Sequence, residues 1–278
     1  VSLLIDLELA TRLARHAAVA ILDVRAEARR RPQTKSDASP VTDADLAADV
    51  VIRGGLPADD VVVTEESWSD APLPASGRVW FVDPIDGTED FVQGSADYVV
   101  QIGLVIDGAP RLGVVLQPAT GTVWRGIVDG PGSFCDRSSA DGTTTRLVLP
   151  VGAFPRRPPR IAASVSHPST FVDFVVPALG GVVVPCGSVG LKAALICEGR
   201  ADAYVTASRR IKVWDTAAPA ALVLAAGGDA SSLGQQPLVY GGPVGHEDGV
   251  CLWSRPARDA LRAPLAAAVA RFAAPPAT

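Results

Sequence analysis

The sequence predicts a mixed α/β protein whose two halves share one cleft. Three observations predict it. A long helical period opens the chain, short β-branched runs joined by Gly-containing turns follow, and after about residue 160 strand and helix patterns alternate.

Ile5, Leu9, Leu13 and Ala17 recur at helical spacing, and the pattern continues to Val24, so a first helix is expected from about Leu3 to Arg30. The stretch "RRRPQTKSDASP" breaks it at Pro32 and Pro40 and reads as a loop. "TDADLAADVVIRGGL" reads as a second helix, with Thr42 or Asp43 as N-cap and Gly54 and Gly55 at its end. "VVVTEE" and "VWFVD" are short strands that run into acids. "DYVVQIGLVI", "RLGVVLQ" and "GTVWRGIV" then form a meander. The Pro-rich and polar stretch "TTTRLVLPVGAFPRRPP" marks the boundary between the halves, 1–148 and 149–278. Beyond it come the strands "RIAASV", "GVVVPC" and "ADAYV", each followed by a helix, through "STFVDFVVPALG", "SVGLKAALICEG" and "WDTAAPAALVLAAGG" respectively. In the last of these helices Pro219 is expected in the first turn. A final strand "GVCLW" and a final helix "RPARDALRAPLAAAVARF" close the pattern.

Hydrophobic residues are 48% of the 278, enough for a sizeable core and too many for a disordered chain. A formal net charge of −5 gives no electrostatic basis for binding a nucleic acid polymer. Cys135, Cys186, Cys197 and Cys251 have no CxxC spacing and read as buried thiols of a reducing compartment. The longest apolar run, "AAPAALVLAAGG", is too short to span a membrane, and the first residues lack a signal pattern. The expected location is the cytoplasm, with no membrane partner.

Carboxylates cluster at the ends of elements: Glu65 and Glu66, Asp83 and Asp86, and Asp215. Strand ends and helix starts are where α/β folds place their sites. Oxygen donors suit hard cations such as Mg²⁺, while His16, His167 and His246 are too scattered in sequence to suggest zinc. In "DPIDGT", Asp83 ends its strand, Pro84 cannot extend the ladder, and Asp86 returns toward Asp83 across a tight turn. Gly87 permits close approach of a ligand, and the Gly87 and Thr88 amides can meet a phosphate. The same residues also make an ordinary turn with solvated acids. Adjacent carboxylates repel unless cations neutralise them.

"TEES", "DPIDGT" and "WDTAAPAALVLAAGG", in this order and spacing, resemble the inositol monophosphatase family of Mg²⁺-dependent, lithium-sensitive phosphatases. The resemblance runs along nearly the whole chain. It implies a layered αβαβα sandwich of the inositol monophosphatase and fructose-1,6-bisphosphatase type. "GSVGLKAALICEGRADAY", "KVWDTAAP" and "SVSHPS" are similar to its 3'(2'),5'-bisphosphate nucleotidase branch. The match departs at Glu89, where that branch carries Lys, and at Val165, where it carries Arg. The implied activity is removal of the 3'-phosphate of adenosine 3',5'-bisphosphate. Hydrolysis of another small monoester (an inositol, sugar, histidinol or specialised-metabolite phosphate) is the alternative, and a non-catalytic metabolite-binding protein is a third reading. The implied metal ligands for two or three Mg²⁺ ions are Glu65, Asp83, Asp86, Asp215 and the Ile85 carbonyl, with Asp83 bridging. Asp43 and Thr88, with Glu65 alongside, would activate water. Gly87, Thr88, His167, Ser188 and Lys192 would hold substrate. Family members are often dimers, so a homodimer fits the resemblance.

Overall fold

The computed structural model describes residues 2–30, 40–69, 71–164 and 166–274. Two helices open it, α1 (Leu3–Arg30) and α2 (Pro40–Gly55). Leu7, Ala10, Ala14, Ala17 and Ile21 form the inward stripe of α1, whereas Ile5 is exposed. The expected helix is therefore present but rotated, because its small residues let it lie close to a sheet. α2 begins at Pro40, so Asp43 stands in its first turn rather than at an N-cap. The expected loop after Arg30, the side chain of Thr42 and Val165 fall outside the described residues.

The first sheet contains β1 (Val61–Thr64), β2 (Arg78–Asp86), β3 (Val99–Ile106), β4 (Ala109–Gln117), β5 (Thr122–Ile127), β6 (Phe134–Ser138) and β7 (Thr144–Leu147), in that order. β1 lies parallel to β2, and the rest is an antiparallel meander. The last two strands escape sequence reading because "FCDRS" and "TTRL" are polar, and β7 occupies the start of the expected boundary stretch. β2 also runs further than expected. It passes through Pro84 to Asp86, with its register against β3 shifting between Asp83 and Asp86. That irregularity, rather than a tight turn, lets the strand accommodate a proline.

The second sheet has the order β11-β12-β10-β8-β9, from β8 (Arg160–Ala163), β9 (Val182–Pro185), β10 (Ala203–Thr206), β11 (Asp229–Ser231) and β12 (Val250–Trp253). Its helices are α4 (Thr170–Ala178), α5 (Val189–Cys197), α6 (Val213–Ala225) and α7 (Arg255–Ala273), and a short α3 (Thr88–Val92) follows β2. Three buried clusters define the layers. α1 and α2 cover one face of the first sheet through Trp80, Val82, Ile102 and Leu112. α5 and α6 fill the space between the sheets, with Phe81 and Val115 on one side and Tyr204 and Leu252 on the other. α4 and α7 cover the outer face of the second sheet through Phe171, Val175, Ala257 and Leu261. The order is αβαβα, as the resemblance implied.

α6 crosses the first sheet at unusually short range. A Cβ on Gly103 would stand 2.6 Å from the Ala218 amide, so the glycine is what admits the helix. Burial of Ala217, Ala218, Ala220 and Ala221 completes this close packing and sets the helix start over the end of β2. Pro219 lies in the second turn of α6, not the first, and leaves the Asp215 carbonyl without its usual helical donor. Among the described residues no helix is long and apolar enough to cross a membrane.

Candidate active site

β2 delivers Asp83 and Asp86 to the end of the sheet, where they are 2% and 9% exposed. One oxygen of Asp86 carries three donors from two different parts of the chain. Gln101 Nε2 on neighbouring β3 donates at 2.5 Å, Ser188 Oγ at 2.6 Å and the Gly190 amide, in the first turn of α5, at 2.9 Å. Burial raises the Asp86 carboxyl, while the Gly190 and Ser188 hydrogen bonds pull it back. Ser188 adopts φ 52, a left-handed conformation that costs a non-glycine residue about 1–3 kcal/mol. Its hydroxyl also receives the Leu191 amide at 3.2 Å, capping α5.

Glu65 follows β1, and its amide bonds to the Val82 carbonyl at 3.1 Å, which sets it beside Asp83. Asp215 is the third residue of α6, and its Oδ2 accepts the Lys212 amide at 2.7 Å. Glu65 and Asp215 each interact with the Asp83 side chain, which lowers both carboxyls against the effect of burial. Asp83 and Asp215 are raised well above the carboxylate range, first by burial and then by neighbouring carboxylates. Glu65, although exposed at the rim, is raised by the protein crowded around its carboxyl and by Glu66 and Asp86. The buried cation nearest Asp86 is Lys192, whose own charge is disfavoured by burial and supported by Asp86.

Asp43, expected at the site, and Asp45 differ in burial. Asp43 is exposed. Asp45 is 4% exposed, and its carboxyl is raised to about 8 by burial, then by Glu66 and Glu65. The two lie about 200° apart around α2, so only one can face the site. Sequence reading did not single out Asp45; the available signal was its place beside Ala44, Ala48 and Ile52, which recur at helical spacing.

The Thr88 hydroxyl donates to the Ile85 carbonyl at 3.1 Å. Gly87 holds φ 99, and a Cβ there would meet the Asp97 carbonyl at 2.7 Å, so glycine is required. Lys192 is not a surface cation. It is 3% exposed, donates to the Ser188 carbonyl at 2.9 Å and lies 5.4 Å from the Tyr204 ring centre. Ser188 and Lys192 are thus engaged with the protein around Asp86. His167 is half-exposed, with Nε2 3.0 Å from Glu89 Oε1 and Nδ1 3.3 Å from Ser166 Oγ.

Asp83 Oδ1 is buried with no hydrogen-bond partner. Among the described residues no three His, Cys, Asp or Glu side chains are gathered closely enough to hold an ion as they stand. An ion would have to draw them together. The donor set nonetheless fits one chemistry: oxygen-only, desolvated, mutually repelling carboxylates are stabilised by hard divalent cations.

Comparison with known proteins gives a consistent result. A model of the inositol monophosphatase family matches residues 6–268. The chain is 33% identical over 250 residues to a 3'-phosphoadenosine 5'-phosphate phosphatase of Mycobacterium leprae, covering 85% of this chain and 84% of that one. It is 32% identical over 232 residues to a histidinol-phosphatase of Chlorobaculum parvum, covering 80% and 84%. Inositol monophosphatase-II of Staphylococcus aureus superposes with a TM-score of 0.78 at 23% identity, covering 95% and 96%.

Proposed function

This chain belongs to the inositol monophosphatase family of metal-dependent phosphoric monoester hydrolases, and on that premise we propose that it removes the 3'-phosphate of adenosine 3',5'-bisphosphate, giving AMP. The observation that carries the reading is the placement of Glu65, Asp83, Asp86 and Asp215 at the ends of β1 and β2 and the start of α6, with a buried oxygen on Asp83 that has no partner among the described residues. Residues 1–148 would form the metal-bearing half, and residues 149–278 would supply Asp215 and much of the substrate contact. Four buried free cysteines support a cytoplasmic location.

Glu65, Asp83, Asp86, Asp215 and the Ile85 carbonyl would hold two or three Mg²⁺ ions. Bound there, Mg²⁺ supplies Lewis acidity and neutralises phosphate charge. This chain's residues do the rest. Asp45, in place of Asp43, would accept a proton from the attacking water at its carboxylate, and the Thr88 hydroxyl would orient that water. The Gly87 and Thr88 amides would hold phosphate oxygens. Ser188, Gln101 and Gly190 fix the direction of Asp86, and Lys192 balances its charge; in this reading Ser188 and Lys192 act as positioning residues.

A second reading, hydrolysis of a monoester that carries a single phosphate, is favoured by the contact between Glu89 and His167. That contact sets a carboxylate beside the imidazole that the resemblance assigns to substrate. The test is kcat/KM with Mg²⁺ on adenosine 3',5'-bisphosphate, inositol 1-phosphate and histidinol phosphate. The first reading expects the bisphosphate to lead. A lead by either of the other two establishes the second, and no phosphate release from any overturns both.

A further inference from the structure

A cavity of about 420 Å³ opens away from the carboxylate cluster, between the C-terminal part of α6, the turn joining β3 to β4, and α7. Its volume lies within the range of small-molecule sites. Ala220 and Leu224 of α6 line it, five and nine residues beyond Asp215 and so about 8 and 13 Å along the helix.

The walls are of two kinds. Leu224, Pro237 and Leu238 provide an apolar surface, backed by the almost fully buried Tyr240 and Trp253. Opposite them, α7 presents Arg258 and Arg262, one helical turn apart. Asp229 offsets Arg258, with Oδ2 3.4 Å from its Nε. Among the described residues Arg262 has a neutral partner: its Nε donates to Gln235 Oε1, and Gln235 Nε2 returns a bond to the Arg262 carbonyl at 3.0 Å. Two guanidiniums against one carboxylate leave one positive charge in excess.

We propose that this cavity is a second binding site, for a small carboxylate with an aromatic or aliphatic body. The body lies against Leu224, Pro237 and Leu238. The carboxylate takes a charge-assisted hydrogen bond from Arg262, exchanging for the neutral Gln235 amide. The excess charge selects one negative charge, and the apolar walls select against polyols and free phosphate.

The test is isothermal titration of the whole, metal-free chain with naphthalene-2-carboxylate and with its neutral primary amide. The expected result is saturable one-to-one binding of the acid, with the amide roughly tenfold weaker, the size of one charge-assisted bond. R262Q should weaken the acid by a similar factor and leave the amide unchanged. Arg262 is exposed, so this variant keeps the wild-type melting temperature. No saturable binding, equal binding of acid and amide, or an acid affinity untouched by R262Q overturns the assignment.

Discussion

Ser188 Oγ donates to Asp86 Oδ2 at 2.6 Å, joining two residues 102 positions apart. This bond ties the start of α5 to the end of β2, and it accompanies the one strained serine backbone in the site. Ser188→Ala should therefore act on Asp86. The Mg²⁺ concentration for half-maximal phosphate release should rise several-fold, and stability should fall by about 1–3 kcal/mol, the cost of leaving a buried acceptor short of a donor. Magnesium titrations and thermal melts check both. An unchanged magnesium requirement would remove Ser188 from the positioning of Asp86.

Asp45 and Asp43 make a paired test. Asp45→Asn should lower kcat by about 10²-fold or more, as expected for loss of a proton acceptor. Asp43→Asn should stay close to wild type, since that residue is exposed. If Asp43→Asn is the damaging change, Asp43 rather than Asp45 accepts the proton.

Asp83 predicts opposite effects on stability and activity. Its buried, unpartnered oxygen among like charges burdens the metal-free protein. Asp83→Asn should raise the metal-free melting temperature and abolish phosphate release. Saturating Mg²⁺ should stabilise the wild type, by about 2.7 kcal/mol at a hundredfold excess over Kd, and the variant much less. Chelation by EDTA should silence the enzyme and added Mg²⁺ should restore it. Activity that survives chelation would exclude metal-assisted hydrolysis.

Asp202 sets an acid limit on stability. Burial pushes its carboxyl up, but hydrogen bonds from Arg157 and Arg160 outweigh burial and hold it at about 2. A carboxyl depressed in the folded state contributes stability that is present in full above its unfolded pKa, near 3.8. That contribution fades as pH falls through about 2, and it amounts to at most about 2 kcal/mol once solvent screening of the two arginines is allowed for. Asp202→Asn should lower stability at neutral pH and flatten the pH dependence between these values. Denaturant melts from pH 2 to pH 5 measure it, and parallel curves for the two proteins would reject the role.

Glu89 tests the substrate. Its carboxylate meets His167 Nε2 at 3.0 Å, with both side chains about half exposed. Glu89→Gln should raise kcat/KM for adenosine 3',5'-bisphosphate relative to inositol 1-phosphate by several-fold, since one negative charge leaves the neighbourhood. A ratio that does not move excludes Glu89 as a determinant of specificity.

Much of this molecule is legible locally. The helical period of α1, the β-branched runs of β1 to β5 and the alternation after Arg160 each arise from neighbouring residues that share one face, and sequence spacing records that directly. The acids at strand ends are legible for the same reason. Polar strands β6 and β7 are not, because their pairing partners, rather than their composition, make them strands.

By itself the sequence determined most of the helices, strands β1 to β5, the placing of Glu65, Asp83, Asp86 and Asp215 at element ends, and the family. Only the tertiary structure decided which carboxylates share a desolvated space. It turned Asp45 inward and Asp43 outward, committed Ser188 and Lys192 to the surroundings of Asp86, and joined His167 to Glu89. The reason is that burial and charge coupling depend on what packs against a residue. α5 and α6, more than 100 positions after β2, provide that packing, α6 through the close approach of Ala218 to Gly103 and α5 through that of Gly190 to Val99 and Gln101.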